Sequence, residues 1–197
     1  MTKNWRRNVA EFVSFVANPA LIVVVGMAVI TSQFADTNEQ FWRWTAIGSF
    51  LLVGPSLLYV AYSWKKVGKI DIDVSKREDR IVPLLISSLG ALFGSYLVQS
   101  RLGNETLTLF SNILSAMMLT MTIVTLVWKI SLHAASLTAM ITLMVLFRDP
   151  QFAWLYLLIL PVAWARLFLH QHTPAQIVAG SLTGAGVTFL ASVLFHS

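Results

Sequence analysis

Long apolar runs separated by short polar stretches dominate the pattern of this sequence. In order, the runs cover roughly Pro19 to Phe34, Trp42 to Trp64, Ile81 to Gln99 and Thr106 to Trp128. A shorter run leads from the Ser131–His133 junction to Phe147, and the last two are Phe152 to Phe168 and Pro174 to Phe195. Most approach the ~20 residues that a helix needs to cross a bilayer. Trp42, Trp44 and Trp64 stand at run ends, where interfacial aromatic belts form. Ahead of the runs, Val9, Phe12, Phe15 and Val16 recur at helical spacing with Glu11 on another side. That spacing predicts an amphipathic helix lying at the interface or extending the first span. Gly90 with Gly94, and Gly180 with Gly184, form small-xxx-small pairs suited to close helix packing. The expected fold is an all-α, polytopic integral membrane helix bundle of about seven spans. It has an amphipathic lead-in over 1–18 and a single membrane-embedded domain over 19–197.

Composition agrees with the pattern. Hydrophobic residues make up 56% of the 197 positions and charged ones 12%, about half the charge of an ordinary soluble domain. The chain has no Cys, which excludes disulfides, thiol nucleophiles and thiolate metal sites. Lys and Arg outnumber Asp and Glu by 14 to 9. In a membrane protein such an excess belongs to cytoplasmic loops rather than to nucleic-acid binding, so no nucleic-acid partner is expected.

Charge also orients the spans. With seven of them, the N-terminus, the 65–80 loop, the 129–133 junction and the 166–173 junction share one side. That side carries Lys3, Arg6, Arg7, Lys65, Lys66, Lys69, Lys76, Arg77, Arg80, Lys129 and Arg166; only Arg43, Arg101 and Arg148 fall opposite. The first side is therefore expected to be cytoplasmic, in a multi-pass protein of the cell membrane. Arg77 and Arg80, Ser131 and His133, and Arg166, His170 and His172 all fall on it.

The polar stretch from Arg166 to Gly180 is the most unusual of these, because ionisable groups at membrane depth are costly and usually functional. Thr173-Pro174-Ala175-Gln176 reads as a helix start, with Thr173 as N-cap, Pro174 at the first helical position and Gln176 at the third. Ser131 is a second candidate N-cap, for the helix that carries His133. Helix N-termini present free N–H groups to anions, and arginine forks match phosphate oxygens. Two histidines beside such a site suit phosphoryl transfer, one as nucleophile and one as proton donor. No carboxylate or third His completes an obvious ligand pattern, so neither a metal nor another cofactor is expected.

These residues resemble the signatures of the type-2 phosphatidic acid phosphatase superfamily, which includes lipid phosphatases, undecaprenyl-diphosphate phosphatases and vanadium haloperoxidases. Arg166-x5-His172-x3-Gln176 resembles its third signature, Ser-Arg-x5-His-x3-Asp. Ser131-Leu132-His133 resembles the second, Pro-Ser-Gly-His. Lys76-Arg77-x2-Arg80-x2-Pro83 resembles a divergent first, Lys-x6-Arg-Pro. The likeness covers roughly residues 65–185 and also admits the six-helix core of that family. It implies that His172 attacks phosphorus, that His133 protonates the leaving oxygen, and that Arg80, Arg166 and Ser131 hold the phosphoryl oxygens. Arg77 or Lys76 would stand in for the signature Lys. The chain departs from the pattern at Asp73, Leu132, Ala165 and Gln176. Gln176 can accept an imidazole N–H but carries no charge to stabilise an imidazolium; it also has a rival role as the capping-box partner of Thr173.

Each residue has a plainer reading. His172 could cap a helix at the interface, His133 could be a polar packing residue, and Arg166 could snorkel to the headgroups. Lys76, Arg77 and Arg80 could form a solvated basic surface. His170 matches no signature position, and His196 reads as a tail residue. The expected function is hydrolysis of a polyprenyl (di)phosphate or phosphatidate-like lipid through a phospho-histidine, with the lipid phosphate and the surrounding membrane lipids as partners and homo-oligomerisation left open. The alternatives are a catalytically weakened lipid-phosphate binding protein, or a prenyltransferase or small transporter, the former suggested by Asp71, Asp73 and Asp79.

Overall fold

A computed structural model describes residues 2–67, 76–101 and 105–195. Residues 68–75, with Lys69, Asp71 and Asp73, residues 102–104 and His196 lie outside the described residues. The described residues form helices and no strand. In chain order these are α1 (Thr2–Val16), α2 (Pro19–Thr31), α3 (Asn38–Val67), α4 (Arg77–Arg101), α5 (Glu105–Val127) and α6 (Leu132–Phe147). A 3₁₀ helix (Pro150–Leu158), α7 (Ile159–Phe168) and α8 (Pro174–Phe195) complete the order. Among them, five segments are long and apolar enough to cross a membrane, counting the 3₁₀ helix with α7 as one. The bent pair Trp5–Val16 and Pro19–Thr31 adds at most one more, and α6 is a shorter apolar helix. The chain is an all-helical protein of the polytopic membrane class, and the expected seven is reached only when α6 is counted.

Several boundaries differ from the apolar runs for local reasons. The break between α1 and α2 is set by Asn18-Pro19. Asn18 Oδ1 accepts from the Ala20 N–H at 2.9 Å, so Asn18 caps a helix that Pro19 opens. Helix α4 starts at Arg77 rather than at Ile81, with Glu78 and Asp79 in its first turn, where acidic residues suit the helix dipole. The sixth run splits: Asp149 accepts from the Gln151 N–H at 2.8 Å and opens a nine-residue 3₁₀ helix, longer than such helices usually run.

Contacts divide the chain into two compact units. The first comprises Met1–Ile22 and Ile130–Leu190; the second comprises Val23–Lys129 and Ala191–Ser197. In the first unit α6 is the central element. Its residues from His133 to Leu143 are buried with the one exception of Ser136. Leu137 and Ile141 of α6 join Ala17 and Val162 in a core, against which Val13, Leu155 and Tyr156 pack. Thr142 Oγ1 and the Tyr156 hydroxyl share a hydrogen bond of 2.7 Å that ties the 3₁₀ helix to α6. Thr138 donates to the Ser181 carbonyl at 3.0 Å, tying α6 to α8.

The second unit packs α3, α4 and α5. Its buried polar groups are mostly neutral and paired between helices. Ser88 and Thr122 share a bond of 2.8 Å, Ser87 donates to Ser56 at 3.0 Å, and Thr31 and Thr45 share one of 2.6 Å. An apolar cavity of about 290 Å³ lies in this unit, lined by residues such as Ile30, Leu51, Ala91, Phe110 and Leu114.

Candidate functional site

The helix start at Thr173 forms as its sequence predicts. Gln176 N–H donates to Thr173 Oγ1 at 3.3 Å, and Thr173 N–H donates to Gln176 Oε1 at 3.1 Å. That reciprocal pair is a capping box. The same Gln176 Oε1 lies 3.1 Å from Nδ1 of His172. The two roles weighed for Gln176 are therefore not rivals, because an amide oxygen has two lone pairs and accepts both bonds. The Thr173 N–H also settles which end of the amide faces the pair, since an NH₂ there would meet a backbone donor. An acceptor opposite Nδ1 requires a proton on Nδ1. The neutral ring then carries its lone pair on Nε2, an atom shielded from solvent.

A second device places His172. Helix α7 ends in a Schellman arrangement, in which Gln171 N–H donates to the Arg166 carbonyl at 3.0 Å and His170 N–H to the Leu167 carbonyl at 3.0 Å. His170 occupies the left-handed position of this motif, with φ 54°, and is exposed. Glycine usually fills such a position. His172 N–H also approaches the Arg166 carbonyl, at 3.4 Å. Chain reversal in so few residues keeps His172 beside the residue that closes α7.

Arg166 is wholly buried, and NH1 of its guanidinium donates to Ser14 Oγ of α1 at 2.5 Å. The same hydroxyl stands 3.5 Å from Nε2 of His133. Arg166, Ser14 and His133 thus form a polar chain across α7, α1 and α6. Ser131 and Arg166 are 0% exposed, His133 5%, and His172 and Ser14 7%. Three ionisable side chains this deep are the feature that separates this region from ordinary helix packing.

Ser131 caps α6, accepting from the Ala134 N–H at 3.4 Å, and its own N–H donates to the Gln176 carbonyl at 3.0 Å. The start of α6 is held directly on the first turn of α8. Such an approach needs a residue without a side chain on α8. A Cβ at Gly180 would lie 2.5 Å from the Ser131 carbonyl oxygen, and one at Gly184 would collide with the Ala135 carbonyl. The small-xxx-small pair thus positions the site as well as packing two helices.

Of the expected residues, Ser131, His133, Arg166, His172 and Gln176 are joined within the first unit. Lys76, Arg77 and Arg80 belong to the second. Lys76 is exposed and Arg80 is buried in the first turn of α4. Arg77 Nε pairs with Glu78 at 3.3 Å, and its NH1 donates to the Leu126 carbonyl at 3.0 Å in the last turn of α5. That contact is the one a cation makes at a helix C-terminus. Among the described residues, no three His, Asp or Glu gather as a metal would require.

Ser14 is the residue that the sequence pattern did not reveal. Attention falls on Val9, Phe12, Phe15 and Val16, and these are the exposed face of α1. The packed face is the small one, with Ala10, Ser14 and Ala17 at steps of four and three. No family model matches this sequence, and neither a curated protein nor a solved structure matches it.

Proposed function

We propose that this protein is a membrane phosphohydrolase that removes a phosphate group from a polyprenyl (di)phosphate or phosphatidate-like lipid through a phospho-histidine, as a divergent member of the type-2 phosphatidic acid phosphatase superfamily. One observation carries the reading: Gln176 Oε1 is fixed by the Thr173 N–H while it faces Nδ1 of His172. That arrangement sets the nucleophilic tautomer without a carboxylate. The buried Arg166–Ser14–His133 chain in the same unit supplies an anion-binding cation and a second imidazole. The reading stands on the first unit alone.

The proposed steps balance as follows. His172 Nε2 attacks phosphorus, forming an N–P bond as the P–O bond to the lipid breaks. His133 gives the proton of its Nε2 to the departing oxygen. A water then attacks phosphorus and gives a proton back to His133, the N–P bond breaks, and phosphate leaves. Arg166 holds the non-bridging oxygens, where charge is spread in the transition state. The positive charge that develops on the His172 ring is met by an amide dipole instead of a carboxylate. An amide in place of an aspartate costs about ten-thousand-fold in the serine-protease triad, through the wrong tautomer. Here the Thr173 N–H keeps the tautomer right, so only the loss of charge remains.

The lysine and arginine distribution supports a cytoplasmic placement of this site; a cysteine at position 170 should resist labelling from outside intact cells, and labelling there would reverse the orientation. Gln176 also favours a second reading, a protein that binds a lipid phosphate without turning it over. Phosphate release from detergent-solubilised protein in EDTA separates the two. Release that disappears in His172→Ala supports hydrolysis, and retained binding with no release on any lipid phosphate supports the second reading.

A further inference from the structure

Ser14 has two neighbours, and together they say what kind of atom belongs at its Oγ. One is the guanidinium of Arg166 at 2.5 Å, which can only donate. The other is Nε2 of His133 at 3.5 Å, a nitrogen that donates whenever it carries the proton needed by a leaving group. The guanidinium, and the imidazole in the form that protonates a leaving group, address this position as an acceptor, as they would the oxygen of a tetrahedral oxyanion. The hydroxyl that fills it is neutral and also has a proton to give. A phosphoryl group carries anionic oxygens, whose bonds to a guanidinium are shorter and roughly twice as strong as neutral ones. A phosphoryl oxygen would therefore replace Ser14 as the acceptor for Arg166, leaving the Ser14 O–H to donate to that oxygen.

We propose that Ser14 is a phosphate-binding residue: its hydroxyl holds Arg166 and His133 in register and donates to a phosphoryl oxygen when phosphate binds. This inference rests on the phosphohydrolase reading of the same site. It adds α1 to the machinery, through the buried Ser14 that lies between Ala10 and Ala17. Nothing in the steps proposed for His172 requires that helix. Its opposite face presents Trp5, Phe12 and Phe15, the last two 66% exposed. The helix that supplies a hydroxyl to the head group thus also carries apolar surface of the kind a lipid tail or bilayer meets.

The test is the dissociation constant of inorganic phosphate, and separately of a short-chain lipid phosphate, for the full-length protein in detergent with and without Ser14→Ala. Loss of one hydrogen bond to a charged group should weaken both ligands about tenfold or more. Ser14→Cys keeps the size, replaces the hydroxyl by a poor hydrogen-bonding group, and should weaken both likewise; it carries the test if the alanine variant does not fold. Unchanged affinity in both variants would make Ser14 a packing residue only, and tighter binding would make it a plug. Weakening confined to the lipid would assign it to the tail. Each of these overturns the inference while leaving the phosphohydrolase reading intact. A wild-type protein that binds neither ligand would overturn both.

Discussion

The two compact units use the same packing devices for different ends. Each brings helix backbones together at glycine: Gly180 of α8 against the Ser131 carbonyl in the first unit, Gly90 of α4 against the Leu51 carbonyl in the second. Each also pairs serine and threonine hydroxyls between helices. In the second unit these bonds are neutral, as in Ser88–Thr122 and Ser56–Ser87, and the cavity beside them is apolar. In the first, the same close approach surrounds a buried guanidinium and two imidazoles. Helix packing in lipid accounts for the hydroxyl pairs of the second unit, where one guanidinium, Arg80, is also buried, because hydroxyl bonds stabilise helix pairs at little cost. It does not account for a guanidinium buried together with two imidazoles, a set of ionisable groups that is costly to bury and is usually functional.

Removing that charge is the strongest way to test the contrast. Arg166→Ala should abolish measurable phosphate binding and lower turnover by at least about a thousandfold, the scale of losing a principal transition-state charge. A steady-state rate within tenfold of wild type would reduce Arg166 to a structural residue. Gln176→Glu keeps an acceptor for both the Thr173 and His172 N–H groups and adds a negative charge beside the ring. It should raise kcat about tenfold by stabilising the imidazolium; an unchanged or lower kcat in correctly folded protein would mean that the site is built for an amide.

Smaller effects separate the scaffold from the chemistry. His170→Gly relieves a left-handed backbone at the end of α7 and should stabilise the protein by about 1 kcal/mol, seen as a higher Tm with kcat unaltered. A lower Tm would show that the exposed imidazole has contacts worth more than the strain. Ser88→Ala, in the second unit, should cost only about 0.6 kcal/mol and leave phosphate affinity as it was. A change in that affinity would break the distinction between the units.

How far the sequence could be read follows the same division. Helix α8 has the bounds expected from its apolar run, Pro174–Phe195, because Thr173 and Pro174 fix its start through local hydrogen bonds. Helix α5 differs by a single residue at either end. The bond between Gln176 and His172 was also legible, since positions four apart on a helix are neighbours. By contrast, the 3₁₀ helix at 150–158 has no periodicity that distinguishes it from an α-helical run of the same apolar residues. Ser14 was hidden for another reason. Its partners are 119 and 152 positions away, and periodicity reports only local neighbours. Hydrophobic periodicity also points the wrong way in lipid. Large apolar residues such as Phe12 and Phe15 turn outward, while the small ones, Ala10, Ser14 and Ala17, pack. The left-handed His170 was likewise invisible, because a histidine gives no sign of the position that glycine would have announced.

The central claim is that His172, held by Gln176, attacks phosphorus. The most direct measurement is trapping, by a denaturing alkaline quench, of purified protein turning over a lipid substrate labelled in the phosphate that is released, followed by mapping of any acid-labile, base-stable phosphoryl group. The expected result is label on His172 in the wild type and none in His172→Ala, with phosphate release lost in parallel. Phosphate release that persists in His172→Ala, or label on a different residue, would contradict it.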